Sequence, residues 1–258
     1  MMVRALDVAQ RIDRLLGVAG HPDYPTALNG LQFDHQGPVQ GIAAAVDVSE
    51  RSIRGAADAG ANFLLVHHGL FWSGAQPIVG SAYRRFRLLL DHDIAVYAVH
   101  LPLDAHPELG NNVLLAREFG LTPSRPFAGY QGVAIGVGGD ADMPTDAILA
   151  IADAFARRHG GRARASAIPA GHHTRRWAIC TGAGASSETL REAEAAHINT
   201  LITGEGPHHT AVEAPERGVV VIYAGHYATE TLGVSAVAER IAGEVGVPWS
   251  FVSSPTGS

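Results

Sequence analysis

The chain has 258 residues and a formal net charge of -6 at pH 7. Hydrophobic residues make up 47% of it and charged residues 17%, which excludes an intrinsically disordered protein and favours one large or two small globular domains. The acidic balance argues against a surface that binds nucleic acid or anionic membrane. Cys180 is the single cysteine, so an intrachain disulfide framework is excluded. With no apolar segment of membrane-spanning length, we expect a cytoplasmic protein.

Apolar runs and helical patterns alternate along almost the whole chain. An amphipathic helix is predicted within residues 1–20, because apolar side chains recur at helical spacing from Val8 to Leu16. The predicted strands, in chain order, are 42–48, 63–67, 94–99, 132–138, 177–182, 200–203, 219–224 and 249–253. The predicted helices between them are 50–59, 82–91, 111–119, 145–159, 186–196 and 229–245. This alternation is typical of a layered α/β architecture with a largely parallel sheet.

Local signals mark the ends of several helices. Ser49 and Thr145 occupy predicted N-cap positions, and Gly60, Gly120 and Gly160 follow predicted helix ends. One longer segment, 121–132, combines two prolines with two glycines and lacks any periodicity. We expect a domain boundary there.

Histidine is frequent, with 14 residues, and half of them lie just beyond the C-terminal ends of predicted strands. These seven are His67, His68, His100, His106, His208, His209 and His226. Ligands and active sites of open α/β sheets gather at that edge. The placement therefore indicates a functional site there.

The spacing of the histidines and two carboxylates favours a metal centre. His226 and Glu230 are four residues apart, so they share one face if a helix begins near His226. The adjacent pair His67–His68 ends a strand, and we expect the following Gly69 to let the backbone swing so that the two rings reach different ions. With Asp104, this gives three imidazoles and two carboxylates, and water would complete the coordination. The alternative is that these are surface or capping histidines that carry no metal, but buried charges without partners are costly.

Five segments together resemble a known family. They are NGLQ (29–32), LLVHHGLFW (64–72), HLPLDAHPELGNN (100–112), TGEGPHH (203–209) and GHYATETLG (225–233). Their order and sequence resemble the GTP cyclohydrolase 1 type 2 homologue family, the NGG1-interacting-factor-like dinuclear metal-centre proteins. The resemblance covers nearly the whole chain and is to the short bacterial form, because no extra domain fits between about Gly129 and Arg176.

The resemblance implies a fold of two intertwined, layered α/β domains with mixed, largely parallel sheets. Residues 1–125 and 226–258 would form the first domain, which carries most of the metal ligands, and residues 126–225 the second. The metal site would lie in the interdomain cleft. The family also implies a toroidal homohexamer whose sites face an internal cavity.

The same resemblance assigns roles to residues. His67, His68, Asp104, His226 and Glu230 would be the metal ligands, and Glu230 would contact both ions. His100 would lie close by, either as a residue that supports the ligands or as a proton-transfer residue, and it is the predicted catalytic residue. The cofactors would be two divalent ions per chain, and a mixed imidazole and carboxylate set suits Zn, Fe, Mn, Ni or Co.

The leading functional prediction is a metal-dependent hydrolase that acts on a nucleotide or a related heterocycle, with ring opening and release of formate. A metal-dependent phosphoesterase is an alternative, and so is a non-catalytic hexameric scaffold or metal carrier. For substrate binding we consider Asn111 and Asn112, which the sequence also allows as helix N-caps, and we expect Glu205 and His208 to line the cleft. A ring that encircles DNA is disfavoured by the net charge.

Overall fold

The computed structural model describes residues 3–257. Its strands are β1 (Gly30–Phe33), β2 (Ile42–Asp47), β3 (Phe63–His68), β4 (Ala95–Ala98), β5 (Arg125–Tyr130), β6 (Val133–Pro144), β7 (Arg164–Ala165), β8 (His173–Cys180), β9 (Thr200–Thr203), β10 (Val220–Tyr223) and β11 (Trp249–Phe251). Its helices are α1 (Ala5–Leu16), α2 (Glu50–Asp58), α3 (Gly80–Asp91), α4 (Leu101–Asp104), α5 (Asn111–Glu118), α6 (Thr145–Arg158), α7 (Ser187–Ala195), α8 (His208–Glu216), α9 (His226–Thr229) and α10 (Thr231–Val245).

The chain divides into two compact units, each made from two segments of sequence. Unit 1 comprises the residues up to Leu103 together with Gly233–Ser254, and unit 2 comprises Asp104–Leu232 with the residues from Pro255 onward. The division therefore precedes α5, whereas the sequence places it near residue 125. Leu115 and Phe119, in and just after α5, are buried in the core of unit 2, which explains the earlier position.

Unit 1 is built on a five-stranded mixed sheet in the order β1-β4-β3-β2-β11. The last four strands in that order are parallel, and β1 pairs antiparallel with β4. Helices α2 and α3 pack on one face through Ile53 and Leu89, which contact apolar residues of β3 and β4. Tyr97 points to the other face and donates a hydrogen bond to Asp13 of α1 at 2.6 Å. Burial on both faces explains why β2, β3 and β4 are nearly continuous apolar runs.

Unit 2 contains a six-stranded mixed sheet in the order β5-β6-β8-β9-β10-β7. Strands β8, β9 and β10 are parallel, and the remaining strands pair antiparallel with their neighbours. One face is covered by α5 and α6, where Phe119, Phe155 and Trp177 form the centre of the core. The other face is covered by α7 and α8 through Leu190 and Ala214.

Several local predictions can be compared with these elements. Ser49 is the N-cap of α2, and its hydroxyl accepts from the Ser52 N–H at 3.0 Å. The N-cap prediction for Thr145 is wrong: α6 begins at Thr145 itself, whose hydroxyl instead bonds Thr174 at 2.8 Å inside the unit. Gly60, Gly120 and Gly160 follow α2, α5 and α6 with positive φ, as predicted.

The segment predicted to be an irregular boundary contains a strand. Residues 125–130 form β5, which pairs with β6 at the edge of the sheet of unit 2. Pro126 is tolerated there because an edge strand does not need every N–H for pairing. Within residues 3–257, no helix combines the length and apolar character that crossing a membrane requires.

Candidate metal centre

In unit 1, the carboxyl ends of three parallel strands bring histidines together. Strand β3 ends in His67 and His68, and His100 lies two residues beyond β4. Asp47, the last residue of β2, pairs in register with His68. Parallel strands finish at the same edge of a sheet, so residues far apart in sequence become neighbours there.

The three imidazoles of unit 1 are close enough to share an ion. The ring centroid of His67 lies 4.8 Å from those of both His68 and His100, and the latter two are 5.7 Å apart. Each ring offers a nitrogen within 4.8 Å of those of the other two. His67 is 1% exposed and His100 is 8% exposed, so water is largely excluded from their ring nitrogens. Burying a polar nitrogen is costly unless it has a bonding partner, and a metal ion can be that partner.

Each of these histidines is oriented through its Nδ1 atom by an oxygen acceptor. The acceptors are the Val99 carbonyl, Asp47 Oδ1 and Asp23 Oδ1, at 2.9, 2.8 and 2.8 Å from Nδ1 of His67, His68 and His100 respectively. A carbonyl or a carboxylate accepts, so Nδ1 carries the proton and Nε2 keeps its lone pair. Metal-ligating histidines have this pattern, because the second nitrogen is fixed by an oxygen acceptor.

The NGLQ segment and a nearby aspartate hold His100 in place. The backbone N–H of His100 donates to Asn29 Oδ1 at 2.7 Å, and Asn29 donates to Asp23 at 2.8 Å. Asp23 also accepts from the backbone N–H of Leu101 at 2.9 Å. Burial raises the pKa of Asp23, but the hydrogen bond and charge of His100 and the Asn29 donor outweigh it, so the pKa is lowered. Asp23 is therefore an ionised partner for His100.

Gly69 is required for space rather than for backbone freedom. The expected swing of the backbone is not observed, because Gly69 has no positive φ. A Cβ at this position would overlap the side-chain amide of Gln32. Gln32 accepts from the Leu70 N–H at 2.6 Å and donates to the Ala27 carbonyl at 3.0 Å, so its position is fixed.

Two aromatic side chains lie beside the histidines of unit 1. The ring of Trp72 is 4.7 Å from that of His100 and 5.0 Å from that of His68, measured between centroids. Tyr24 packs edge-on against Trp72 at 6.3 Å. Both aromatic rings remain partly exposed, with 38% for Trp72 and 47% for Tyr24.

In unit 2, the corresponding carboxyl edge carries a histidine between two carboxylates. His226 opens α9 after β10, and its Nε2 lies 3.1 Å from Glu230 Oε2, as the four-residue spacing predicts. Its Nδ1 lies 2.8 Å from Glu205 Oε1. Burial lowers the pKa of His226, but the hydrogen bonds and charges of Glu230 and Glu205 outweigh it and raise the pKa to about 9. The two carboxylates thus favour positive charge at this position.

Gly182 makes room for Glu230. It lies two residues beyond β8 and has a φ of 60°, and a Cβ there would overlap the Glu230 carboxylate. Glu230 is 3% exposed. A buried carboxylate of this kind needs a cation or hydrogen-bond donors around it.

Asp104 is held by the two asparagines that follow it. Asn111 donates to Asp104 Oδ1 at 2.8 Å, and Asn112 donates to the Asp104 carbonyl at 3.2 Å while its own Oδ1 accepts from the Thr181 N–H at 2.8 Å. Neither asparagine caps α5, whose N-cap is Gly110. Both are at most 1% exposed, so they position Asp104 from within the core.

The other two residues considered for substrate binding line a cavity of unit 2. Glu205 and His208 border it, and His208 is the first residue of α8. Cys180 is the last residue of β8, and burial and the charges of Asp104, Glu192 and Glu230 raise its pKa to about 12. It is therefore a neutral thiol at physiological pH.

The donor set fits divalent metal ions. Unit 1 supplies His67, His68 and His100 as one group, and unit 2 supplies His226 with Glu230 and, separately, Asp104. Imidazole and carboxylate donors without thiolate suit Zn, Fe, Mn, Ni or Co. Both kinds of donor are preoriented by further hydrogen bonds, as ligands of metal sites are.

Comparison with known proteins identifies the family. The model of the Duf34/NIF3 (NGG1p interacting factor 3) family matches residues 3–256. The chain belongs to the Duf34/NIF3 family.

Relatives and solved structures agree with this membership. The chain is 39% identical to a GTP cyclohydrolase 1 type 2 homolog of Deinococcus radiodurans, over 97% of this chain and 93% of the relative. It is 42% identical to the homolog of Halobacterium salinarum, over 97% and 98%. Among solved structures, protein TTHA1606 of Thermus thermophilus is 35% identical with a TM-score of 0.84 and covers 99% of this chain and 100% of its own. The protein ybgI, described as of unknown function, is 31% identical with a TM-score of 0.88, over 99% and 100%.

The family resemblance and the α/β fold predicted from sequence are confirmed by these comparisons. The sequence of this Duf34/NIF3 chain does not predict the oxygens that orient the imidazoles, notably those of Asp23 and Asp47. The signal for Asp47 was present, because it is a carboxylate at the end of a predicted strand. Asp23 lies in a loop, and no pattern in the sequence links it to His100.

Proposed function

We propose that this protein is a dinuclear metal-dependent hydrolase that acts on a nucleotide or a related heterocycle. The observation that carries the proposal is the shared arrangement of four imidazoles. In His67, His68, His100 and His226, Nδ1 is bonded to an oxygen acceptor. This fixes the direction of Nε2, which in His226 lies 3.1 Å from Glu230, where a bound cation would take the place of the ring proton. His21 and His173 are also bonded through Nδ1 to an oxygen acceptor, but His67, His68 and His100 in addition bring ring nitrogens within 4.8 Å of one another.

The proposed ligands of two divalent ions are His67, His68, Asp104, His226 and Glu230. Glu230 is proposed to bridge, because its two carboxylate oxygens can bind separate ions. Five protein donors leave coordination positions open on two ions, which is typical of catalytic rather than structural sites. When bound, such ions supply Lewis acidity and ionise water near neutral pH.

His100 is the proposed proton-transfer residue. Its Nδ1–H donates to the ionised Asp23, so the lone pair of the neutral ring is on Nε2, which can accept a proton. The Asp23 carboxylate would then stabilise the imidazolium. Because Asp23 and Asn29 also fix the backbone of this segment, the ring has a defined direction. His100 is also close enough to His67 and His68 to join them as a ligand, and metal content separates the two roles.

The aromatic rings beside the histidines support a heterocyclic substrate. Trp72 and Tyr24 expose apolar ring surface next to His100, and flat aromatic groups stack on such surfaces. In the proposed reaction with a purine nucleotide, one water opens the imidazole ring and a second releases the formyl carbon as formate. The relatives carry the name GTP cyclohydrolase 1 type 2 homolog, which motivates GTP as the first compound to assay.

The test is an assay of GTP, other nucleotides and simple phosphoesters with metal-reconstituted protein. Asp104→Asn should abolish turnover by disturbing metal binding. His100→Ala should retain both ions yet slow the reaction by roughly 10²–10⁴-fold, the contribution of a general acid or base. His173→Ala is the matched control, because His173 also pairs with an aspartate, Asp142, but is exposed in β8.

Inert substrates in the presence of both metals would contradict the hydrolase proposal, as would activity that survives Asp104→Asn unchanged. Either result would favour the non-catalytic scaffold or metal carrier. Turnover of phosphoesters without ring opening would favour the phosphoesterase.

A further inference from the structure

Unit 2 contains a cavity of about 330 Å³, and none of the proposed metal ligands is among the residues that line it. Its walls are the loop 204–207 after β9, the first turn of α8, the end of β10 and the short edge strand β7. A volume of this size is at the lower end for small-molecule sites and accommodates a phosphate group with part of the molecule that carries it.

The edge strand directs an arginine into this cavity. Arg164 pairs across strands with Tyr223, so the two side chains lie on the same face of the sheet. The Tyr223 hydroxyl lies 2.8 Å from the hydroxyl of Thr210 in α8, which identifies that face as the one that α8 covers. Arg164 therefore lies on the side of the sheet where the cavity is.

The positive charge of Arg164 is not neutralised by the protein. Within residues 3–257, the structure shows no salt bridge and no side-chain hydrogen bond of Arg164, whose guanidinium offers five N–H donors. Arg162, a second lining residue, approaches Asp153 only at 3.7 Å and is 64% exposed. The Arg164 guanidinium is therefore available to an anion, whereas that of Arg162 lies near the Asp153 carboxylate.

The rest of the lining adds to this charge pattern. Of the described lining residues, Glu205 alone is acidic, and its carboxylate is engaged by Nδ1 of His226. Helix α8 begins at His208 after Pro207, and no side chain caps it. Pro207, His208 and Ala211, at the start of this helix, line the same cavity, so the positive end of the helix dipole lies beside it.

We propose that this cavity binds the phosphate group of a phosphorylated substrate, with Arg164 as the principal contact and Arg162 as a second one. The inference rests on the proposed function, since it names the chemical class of the substrate of that site. Guanidinium binds phosphate through two parallel N–H donors, which a lone ammonium cannot do. Glu205 borders the cavity and also orients His226, so a phosphate held by Arg164 leaves the remainder of the molecule beside the His226 ligand.

The experiment measures binding by calorimetry with the full-length protein, using inorganic phosphate, guanosine 5′-monophosphate and guanosine as probes. Metal content is determined for every sample. Arg164→Gln should weaken binding of both phosphate-containing probes by about tenfold or more, because it removes a charge-assisted hydrogen-bond pair, and guanosine should be unaffected. Arg164→Lys keeps the charge but loses the two-donor geometry, so its affinity for the phosphate probes should lie between those of the wild type and Arg164→Gln.

Arg175→Gln is the matched control. Arg175 is an exposed arginine of β8 outside the cavity, so its substitution changes the net charge by the same amount and should alter affinity less than twofold. Ala211→Glu tests the cavity without touching an arginine, because it places a carboxylate among the lining residues. Ala211→Glu should abolish phosphate binding. It therefore tests the site independently, should the Arg164→Gln variant not fold.

The inference is overturned if the wild type binds neither phosphate probe at millimolar concentration, or if Arg164→Gln and Ala211→Glu both bind like the wild type. Phosphate binding that disappears with a chelator and ignores Arg164 would also overturn it, because the ions would then be the binding site. A protein that lacks metal but binds phosphate through Arg164 would contradict the proposed hydrolase while leaving this site intact.

Discussion

His68 and His100 are each oriented by an aspartate that is distant in sequence. Asp47 is 21 residues from His68, and Asp23 is 77 residues from His100. In both pairs the carboxylate accepts from Nδ1–H, which determines the direction in which Nε2 points. The chemistry of the site thus depends on residues that are not ligands themselves.

Asp47→Ala should weaken metal binding by about 10–100-fold while the fold is retained, because the His68 ring loses its orienting acceptor. Competition with a chromophoric chelator measures the affinity. Asp142→Ala removes the comparable pair with His173 on the surface of unit 2 and serves as the control. Equal affinity of the two variants would show that the orientation of His68 is irrelevant to metal binding.

Some of these residues could be predicted from sequence, and others could not. His67, His68, His226 and Glu230 could be, because strand ends and i, i+4 spacing are local patterns. The contacts of Asp23 and Asn29 depend on how a long loop folds back over β4, and local patterns hold no information about that. Asn111 and Asn112 have roles in orienting Asp104 that become visible only with the side chains in place.

At the scale of elements, β3 is the clearest case of sequence determining structure. Its continuous apolar run is the signature of a strand buried on both faces, and the two histidines follow where the strand meets the carboxyl edge. The short strands β1, β5 and β7 escaped prediction. They have two to six residues, pair antiparallel at sheet edges and include Pro126, so they lack a periodic signal.

Gly69→Ala should destabilise the protein by about 1–3 kcal/mol, because the new methyl group displaces the Gln32 amide from its hydrogen bonds. Urea unfolding measures the change. The matched control is Gly243→Ala in α10, where a Cβ meets nothing within 4 Å. It should stabilise by about 0.5–1 kcal/mol, since alanine is the better helix former. Equal stability of the Gly69→Ala variant and the wild type would contradict the packing argument.

At the scale of the whole molecule, both units place their candidate site residues by the same topology. Each sheet has a parallel centre, and the candidate ligands follow the carboxyl ends of β3 in unit 1 and β10 in unit 2. The α/β class was predictable because alternating helices and strands imply parallel strands. The exact division of the chain into units was not predictable from local patterns. It depends on the core into which Phe119, just after α5, packs.

We also propose the hexameric assembly that the family resemblance implies. Unit 1 exposes apolar side chains at the start of α3 and along it: Val79 is 68% exposed, Tyr83 55% and Leu90 66%. Exposed apolar surface of this kind is typical of an interface. Light scattering should report a mass near six chains of 27.0 kDa, and Leu90→Glu should lower it. A monomer at micromolar concentration would contradict the assembly.

The metal content of protein purified without chelator tests the central claim most directly. Elemental analysis should find about two divalent ions per chain in the wild type, as a two-metal site requires. His68→Ala should chiefly loosen one ion, whereas Glu230→Gln should weaken both together because it removes the carboxylate proposed to contact both. Only trace metal in the wild type, even after reconstitution with Zn, Mn and Fe, would contradict the dinuclear centre.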